Sequence, residues 1–146
     1  MMRLSTKGRY GVRLMLELAG KFGKGPVSLK DVSKNQEISE KYLWHLIRQL
    51  KNAGLVHSAR GAHGGYMLAK PPKQINLKDI ISVLEGPMNL VACTHDPRIC
   101  TRSVDCAARQ VWAEITDKLL RAIESYNLED MLMIQKAKRS TVDYTI

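Results

Sequence analysis

The sequence predicts a mainly α-helical fold with one small β-hairpin wing, a winged helix-turn-helix followed by a long dimerisation helix. Three observations lead there. Apolar residues recur at spacings of three and four in segments bounded by capping residues. A glycine-rich stretch separates two short strand-like runs. A composition of 45% hydrophobic and 25% charged residues over 146 positions is that of a folded chain rather than a disordered one. The length suits one domain, or one small domain with an appendage.

Taken in order, the first helix starts after Ser5 or Thr6. Tyr10, Leu14, Met15, Leu18 and Phe22 fall on one face, and Gly23 with Gly25-Pro26 ends it. Ser28-Leu29-Lys30-Asp31 reads as a capping box opening a short helix over 29–35. Ser39 caps a third helix over 40–53, in which Leu43, Leu46, Ile47 and Leu50 share a face and Gly54 supplies the stop. Leu55-Val56-His57-Ser58 is a strand, Arg60-Gly61-Ala62-His63-Gly64-Gly65 must turn, and Tyr66-Met67-Leu68-Ala69 returns. Asn76-Leu77-Lys78-Asp79 opens a helix carrying Leu77, Ile80, Ile81 and Leu84, which Gly86-Pro87 stops. Residues 88–105 show no period. From about Cys106 to Tyr126 a long helix carries Ala108, Val111, Ile115, Leu119, Ala122 and Tyr126 at near-heptad steps, the pattern of a helix packing along another. Residues 133–146 look polar and read as a loose tail.

Two short capped helices followed by a hairpin make a winged helix-turn-helix over 1–86, whose second helix normally enters the major groove of double-stranded DNA. With the apolar face inward, Lys41, His45, Arg48 and Asn52 lie opposite, and Tyr42 and Trp44 fall on the flanks; the candidate DNA contacts are Ser39, Lys41, Tyr42, His45, Arg48 and Arg60. Lysine and arginine neutralise phosphates, and Ser39 at the helix start presents donors. Arg60, at the base of the glycine loop, suits a phosphate or a minor groove. Trp44 stays open between packing on a neighbouring helix and stacking on DNA. Charge agrees with this division. Residues 1–86 hold 15 basic and 6 acidic residues, whereas 87–146 hold 8 of each, so the whole +9 surplus lies in the N-terminal part.

Cys93, Cys100 and Cys106, spaced C-x6-C-x5-C, define a segment over 87–106. Soft thiolates so close together select zinc, copper(I) or iron–sulfur clusters, although three small residues packed under a loop fit the spacing as well. His95, Asp96 and Asp105 are the nearby polar candidates for a fourth ligand. Neither the close pairs of a zinc ribbon nor a C-x-x-C redox pair is present. No apolar run is long enough to span a membrane, and the N-terminus lacks the apolar core of a secretory signal, so a reducing cytoplasm is expected. No nucleophile–base order and no phosphate-cradling loop before a helix stands out, so neither an enzyme nor a small-molecule substrate is expected.

The string Tyr42-Leu43, Leu50, Ala53-Gly54-Leu55-Val56, Arg60-Gly61, Gly64-Gly65-Tyr66 and Leu68-Ala69 resembles the IscR-type winged-helix regulators, the family of IscR, NsrR, RirA and CymR. The start, Met2-Arg3-Leu4-Ser5-Thr6-Lys7-Gly8-Arg9-Tyr10, and the stretch Asp79-Ile80-Ile81 with Leu84-Glu85-Gly86 do so too. The likeness runs from about residue 2 to 132. It implies a transcription regulator that is a homodimer on pseudo-palindromic promoter sites, with residues 107–132 as the dimerisation region. It further implies that Cys93, Cys100 and Cys106 hold a [2Fe-2S] cluster, alternatively [4Fe-4S], tuning expression of iron–sulfur cluster biogenesis genes. A same-fold regulator with a zinc or thiol redox sensor, of the nitric-oxide or cysteine-metabolism type, is the alternative. Where members carry a histidine three residues after the third cysteine, this chain has Arg109. Where others carry an acid near the start of the first helix, it has Arg9. Neither residue can ligate.

Overall fold

The computed structural model describes the backbone of residues 4–145 and the side chains of residues 4–142; Met2-Arg3, part of the N-terminal string quoted above, lies outside these. Among the described residues, seven α-helices and one hairpin follow in order: α1 (Thr6–Gly20), α2 (Leu29–Gln36), α3 (Glu40–Asn52), β1 (Val56–Ala59), β2 (Gly65–Leu68), α4 (Leu77–Glu85), α5 (Ala92–His95), α6 (Ala107–Glu124) and α7 (Leu128–Thr145).

The core is built almost entirely by residues 14–84. Leu14, Met15 and Leu18 of α1 meet Val32 of α2, Leu43, Leu46, Ile47 and Leu50 of α3, Val56 and Leu68 of the hairpin, and Ile80 and Leu84 of α4. Side chains three and four apart share a helix face, so these helices each turn one apolar stripe inward and leave their charges outside.

Capping fixes where the helices begin. Ser28 and Ser39 accept the backbone N–H of the third residue on, at 3.1 and 3.2 Å. Asn76 and Asp79 form a full reciprocal box, and Asn127 and Asp130 form a second. The two boxes lie side by side. The Leu77 N–H donates to the Tyr126 carbonyl at 2.7 Å, and the Leu128 N–H to the Ile75 carbonyl at 2.9 Å. Leu128 is thereby carried into the core.

The start of α1 is capped from far along the chain. Ser5 leaves its own cap unmade, and the Glu85 carboxylate at the end of α4 accepts the Ser5 N–H at 3.0 Å, the Ser5 hydroxyl, and the Gly8 N–H at 3.1 Å. A carboxylate there also meets the positive end of the helix dipole. Gly8 and Gly11 allow the approach, because a Cβ on Gly11 would overlap Leu84 Cδ1 and one on Gly8 would crowd Glu85.

The hairpin pairs Val56 with Leu68 through Ala59 with Gly65. Val27, just before α2, exchanges hydrogen bonds with Tyr66 at 2.8 and 2.9 Å, so the wing is tied to the body by a third extended segment. A Cβ on Gly65 would overlap the Val27 carbonyl.

Three expectations change. Residues 128–145 form α7 where a loose tail is expected after 133; Leu128 and Leu132 in its first two turns pack into the core, the helix docking on α1 and Pro72–Gln74, while most of its later residues are exposed. Phe22 lies past the end of α1 and is exposed, because the chain leaves the helix after Gly20 and turns at Gly23. The irregular cysteine segment contains one short helical turn, α5, and a 3-10 turn at Pro97–Ile99.

Candidate nucleic-acid interface and cysteine segment

The structure turns Lys41, His45, Arg48 and Asn52 outward on α3, opposite the four buried residues of the same helix. Ser39 is exposed at the helix start, where its oxygen caps the Tyr42 N–H and its hydroxyl hydrogen is left to donate. Arg60 is exposed at the beginning of the wing loop, beside Gly61 at φ 109°, a conformation that favours glycine. Tyr42 sits differently from the others. It is half-buried, and its ring meets Tyr10 edge-on at 5.9 Å. It anchors α3 to α1 rather than standing free on the outer face.

Trp44 is not among the residues packed against the core, and among the described residues no ring or charge contact joins it to another helix. It is 47% exposed, and its ring partners both lie on α3: His45 edge-on at 5.9 Å and the Arg48 guanidinium over the indole at 4.8 Å.

One positioning residue escapes sequence reasoning. Arg13 of α1 donates from Nε to the Gln36 side-chain oxygen at 2.9 Å and from its terminal nitrogen to the Gln36 carbonyl at the end of α2. Its guanidinium also lies 5.2 Å from the Tyr10 ring. Gln36 in turn donates to Glu17 at 2.6 Å. This network holds the turn between α2 and α3, and Glu37 in that turn adopts a left-handed conformation at φ 54°. The partners lie 23 residues apart, so no local pattern points to them.

The cysteines occupy three different settings, all as free thiols. Cys93 is half-buried on α5. Cys100 is exposed after the 3-10 turn. Cys106 is half-buried as the N-cap of α6, where its sulfur accepts the Arg109 N–H at 3.4 Å. Arg109 also reaches across, its Nε donating to the Cys93 carbonyl at 3.0 Å. Ser103, almost fully buried, closes the segment by donating to the carbonyls of Pro97 and Cys100.

Asp96 is committed elsewhere. Its carboxylate accepts the Arg98 guanidinium at 2.9 Å and the Arg98 N–H at 3.0 Å, and these bonds hold its carboxyl below the usual range. His95 and Asp105 are exposed. Among the described residues no three His, Cys, Asp or Glu side chains are gathered so as to hold a metal ion. The three thiols share a segment but not a centre. In this conformation the donor set does not fit a cluster, although its chemistry does.

Helix α6 carries the near-heptad stripe largely on its surface. Val111, Trp112 and Ile115 are 49%, 41% and 41% exposed, Ala108, Ala122 and Tyr126 are exposed too, and only Thr116 of its eighteen residues is buried. Leu119, Leu120 and Ile123 are half-buried. Between α4, α6 and residues 87–90 lies an apolar cleft of about 490 Å³, lined in part by Ile81, Met88, Leu90, Leu119 and Ile123. Among the described residues no helix is long and apolar enough to cross a membrane.

Residues 4–133 match the family model described as Rrf2, iron-dependent transcriptional regulator. The chain is 45% identical to the HTH-type transcriptional regulator CymR of Bacillus subtilis over 130 residues, covering 89% of each. The solved structure of that protein, titled the global cysteine regulator, superposes with a TM-score of 0.76 over 90% of this chain and 96% of the other. The structure of T. potens IscR is 41% identical at a TM-score of 0.75, covering 92% and 88%. An oxidised form of Staphylococcus aureus CymR is 38% identical at 0.72, covering 89% and 95%.

Proposed function

The chain belongs to the Rrf2 family of DNA-binding transcription regulators, and from that premise we propose that it reads a promoter operator with α3 and the wing and is controlled through its cysteine segment. The observation that carries the DNA reading is the outer face of α3. Lys41, His45 and Arg48 stand exposed on a helix whose opposite face is locked into the core, with Arg60 exposed on the wing and Ser39 at the helix start. Such a helix presents charge to phosphates and side chains to base edges at once. A pseudo-palindromic operator requires two copies of this unit. The exposed stripe of α6 supplies the apolar surface for such a homodimer.

For the sensor, the free and dissimilar thiols support a thiol mechanism first. Cys100 is open to an oxidant or electrophile. Cys106 caps α6, so a covalent change at its sulfur alters the bond that starts the proposed dimer helix. The relatives named for cysteine regulation and captured in an oxidised form point the same way. The second reading is a bound iron–sulfur cluster, as the likeness to T. potens IscR and the three neighbouring soft donors suggest. A cluster would require Cys93, Cys100 and Cys106 to converge from their present positions and would supply a redox-sensitive centre.

Two measurements test this. Titration of a family-type operator duplex at several salt concentrations should show binding that weakens steeply with salt; binding to no duplex overturns the regulator reading. Anaerobic reconstitution with iron and sulfide then separates the sensors. A colourless, iron-free product whose operator binding changes on treatment with peroxide supports the thiol reading. Visible bands with bound iron and sulfide, lost in Cys100→Ala, support the cluster.

A further inference from the structure

The half-exposed indole on α3 lies outside the packed core. Trp44 sits between Lys41 and Arg48 on the outer face, leaves about half its surface in water, and touches rings and charge only on its own helix. Arg48 lies over it at 4.8 Å, and the ion pairs of the described residues include none to Arg48. The only acid on α3, Glu40, is two helical turns back. A flexible arginine that must be ordered on binding loses rotamer freedom, and stacking on a ring removes part of that loss beforehand. The guanidinium keeps its planar fork of donors free, the arrangement that fits guanine O6 and N7 in the major groove. The indole is neutral and, apart from its one N–H donor, presents a broad apolar face. On the same groove floor its natural contact is the thymine methyl, which projects into the major groove. Residues four apart on a helix are separated by about 6 Å along its axis, and successive base pairs by about 3.4 Å. The two side chains therefore reach base pairs within one or two steps of each other.

We propose that Trp44 and Arg48 act as one operator-reading unit: the indole holds the Arg48 guanidinium for a guanine and itself covers an adjoining thymine methyl. This rests on the reading of α3 as the groove-entering helix, and it adds which residues set base preference. Lys41 and Arg60 supply charge. The Trp44–Arg48 pair supplies sequence discrimination.

The test is selection from a randomised double-stranded DNA pool with the full chain and with Trp44→Ala, Trp44→Phe, Arg48→Ala and Arg48→Lys, followed by Kd on the enriched duplex and on a scrambled one. Wild type is expected to enrich a half-site with guanine and thymine within one or two steps. Trp44→Ala should lower the ratio of enriched to scrambled affinity by about 5- to 150-fold at unchanged salt slope, because the indole carries no charge. Trp44→Phe should keep part of the ratio. Arg48→Ala should relax the neighbouring guanine, and Arg48→Lys should fail to restore it, since an ammonium cannot bond bidentately. If Trp44→Ala enriches the same half-site with the same ratio, or loses enriched and scrambled duplex equally, the proposal is wrong while the regulator reading stands. If wild type enriches nothing, the regulator reading itself falls.

Discussion

Residues 4–86 and residues 87–126 are built on opposite terms. In the first, α1 to α4, the hairpin and the segments that join them contribute every buried hydrophobic of the described core except Leu128, and each helix turns a whole face to its neighbours. In the second, α6 buries one residue of eighteen and leaves Val111, Trp112 and Ile115 at the surface, while the cysteine segment is held by backbone-directed hydrogen bonds from Arg109 and Ser103. Burial of apolar area is the main favourable term in folding. The first region is therefore self-sufficient, and the second draws its stability from whatever it docks against. That contrast suits a regulator. A DNA-contacting surface needs one fixed shape, whereas the sensing role proposed for the cysteine segment requires that it can change, which low local stability makes possible.

The contrast can be broken or sharpened by substitution. Leu46→Ala, in the fully buried face of α3, should cost about 2–5 kcal/mol in chemical denaturation; a cost comparable to that of a surface change would show that the first region is not the packed half. Arg60→Ala should leave the fold intact and weaken operator binding by about 1–3 kcal/mol, with a salt slope about 0.9 shallower if the contact is to phosphate. Unchanged affinity would remove the wing from the interface. Glu85→Ala removes the long-range cap of α1 and should cost about 1 kcal/mol, read as a lower thermal midpoint; no change would mean that water caps Ser5 and Gly8 as well as the carboxylate does. Ile115→Asp should change the stability of the isolated chain by less than about 0.5 kcal/mol, yet shift sedimentation from dimer toward monomer. A large loss of monomer stability instead would place Ile115 in a core the fold does not show.

Local chemistry was legible in the sequence. The inward phase of Leu43, Leu46, Ile47 and Leu50, the caps at Ser28, Ser39 and Asn76, and the glycine turn of the wing all depend on residues within one or two helical turns. So did the outward set Lys41, His45 and Arg48, which follows from helical phase once the apolar face is known. The start of α7 carried the same signal as α4, Asn127-Leu128-Glu129-Asp130 beside Asn76-Leu77-Lys78-Asp79. It is overshadowed by the exposed, polar surface that follows, which shows little apolar period. What could not be read was long-range: Glu85 on the α1 terminus, Arg13 on the α2–α3 turn, Val27 on the wing, and Tyr42 turned toward Tyr10.

The sequence by itself therefore determined α1 to α4, α6, the hairpin, the face of α3 that meets solvent and the concentration of charge in the first 86 residues. Periodicity and capping act over a few residues and need no knowledge of the fold. Only the tertiary structure decided how α3 is braced, that Trp44 lies under Arg48, and that the three cysteines stand in separate settings. Rotamers and contacts between distant segments follow from packing and from which polar groups find partners, and these exist only once the chain has closed on itself.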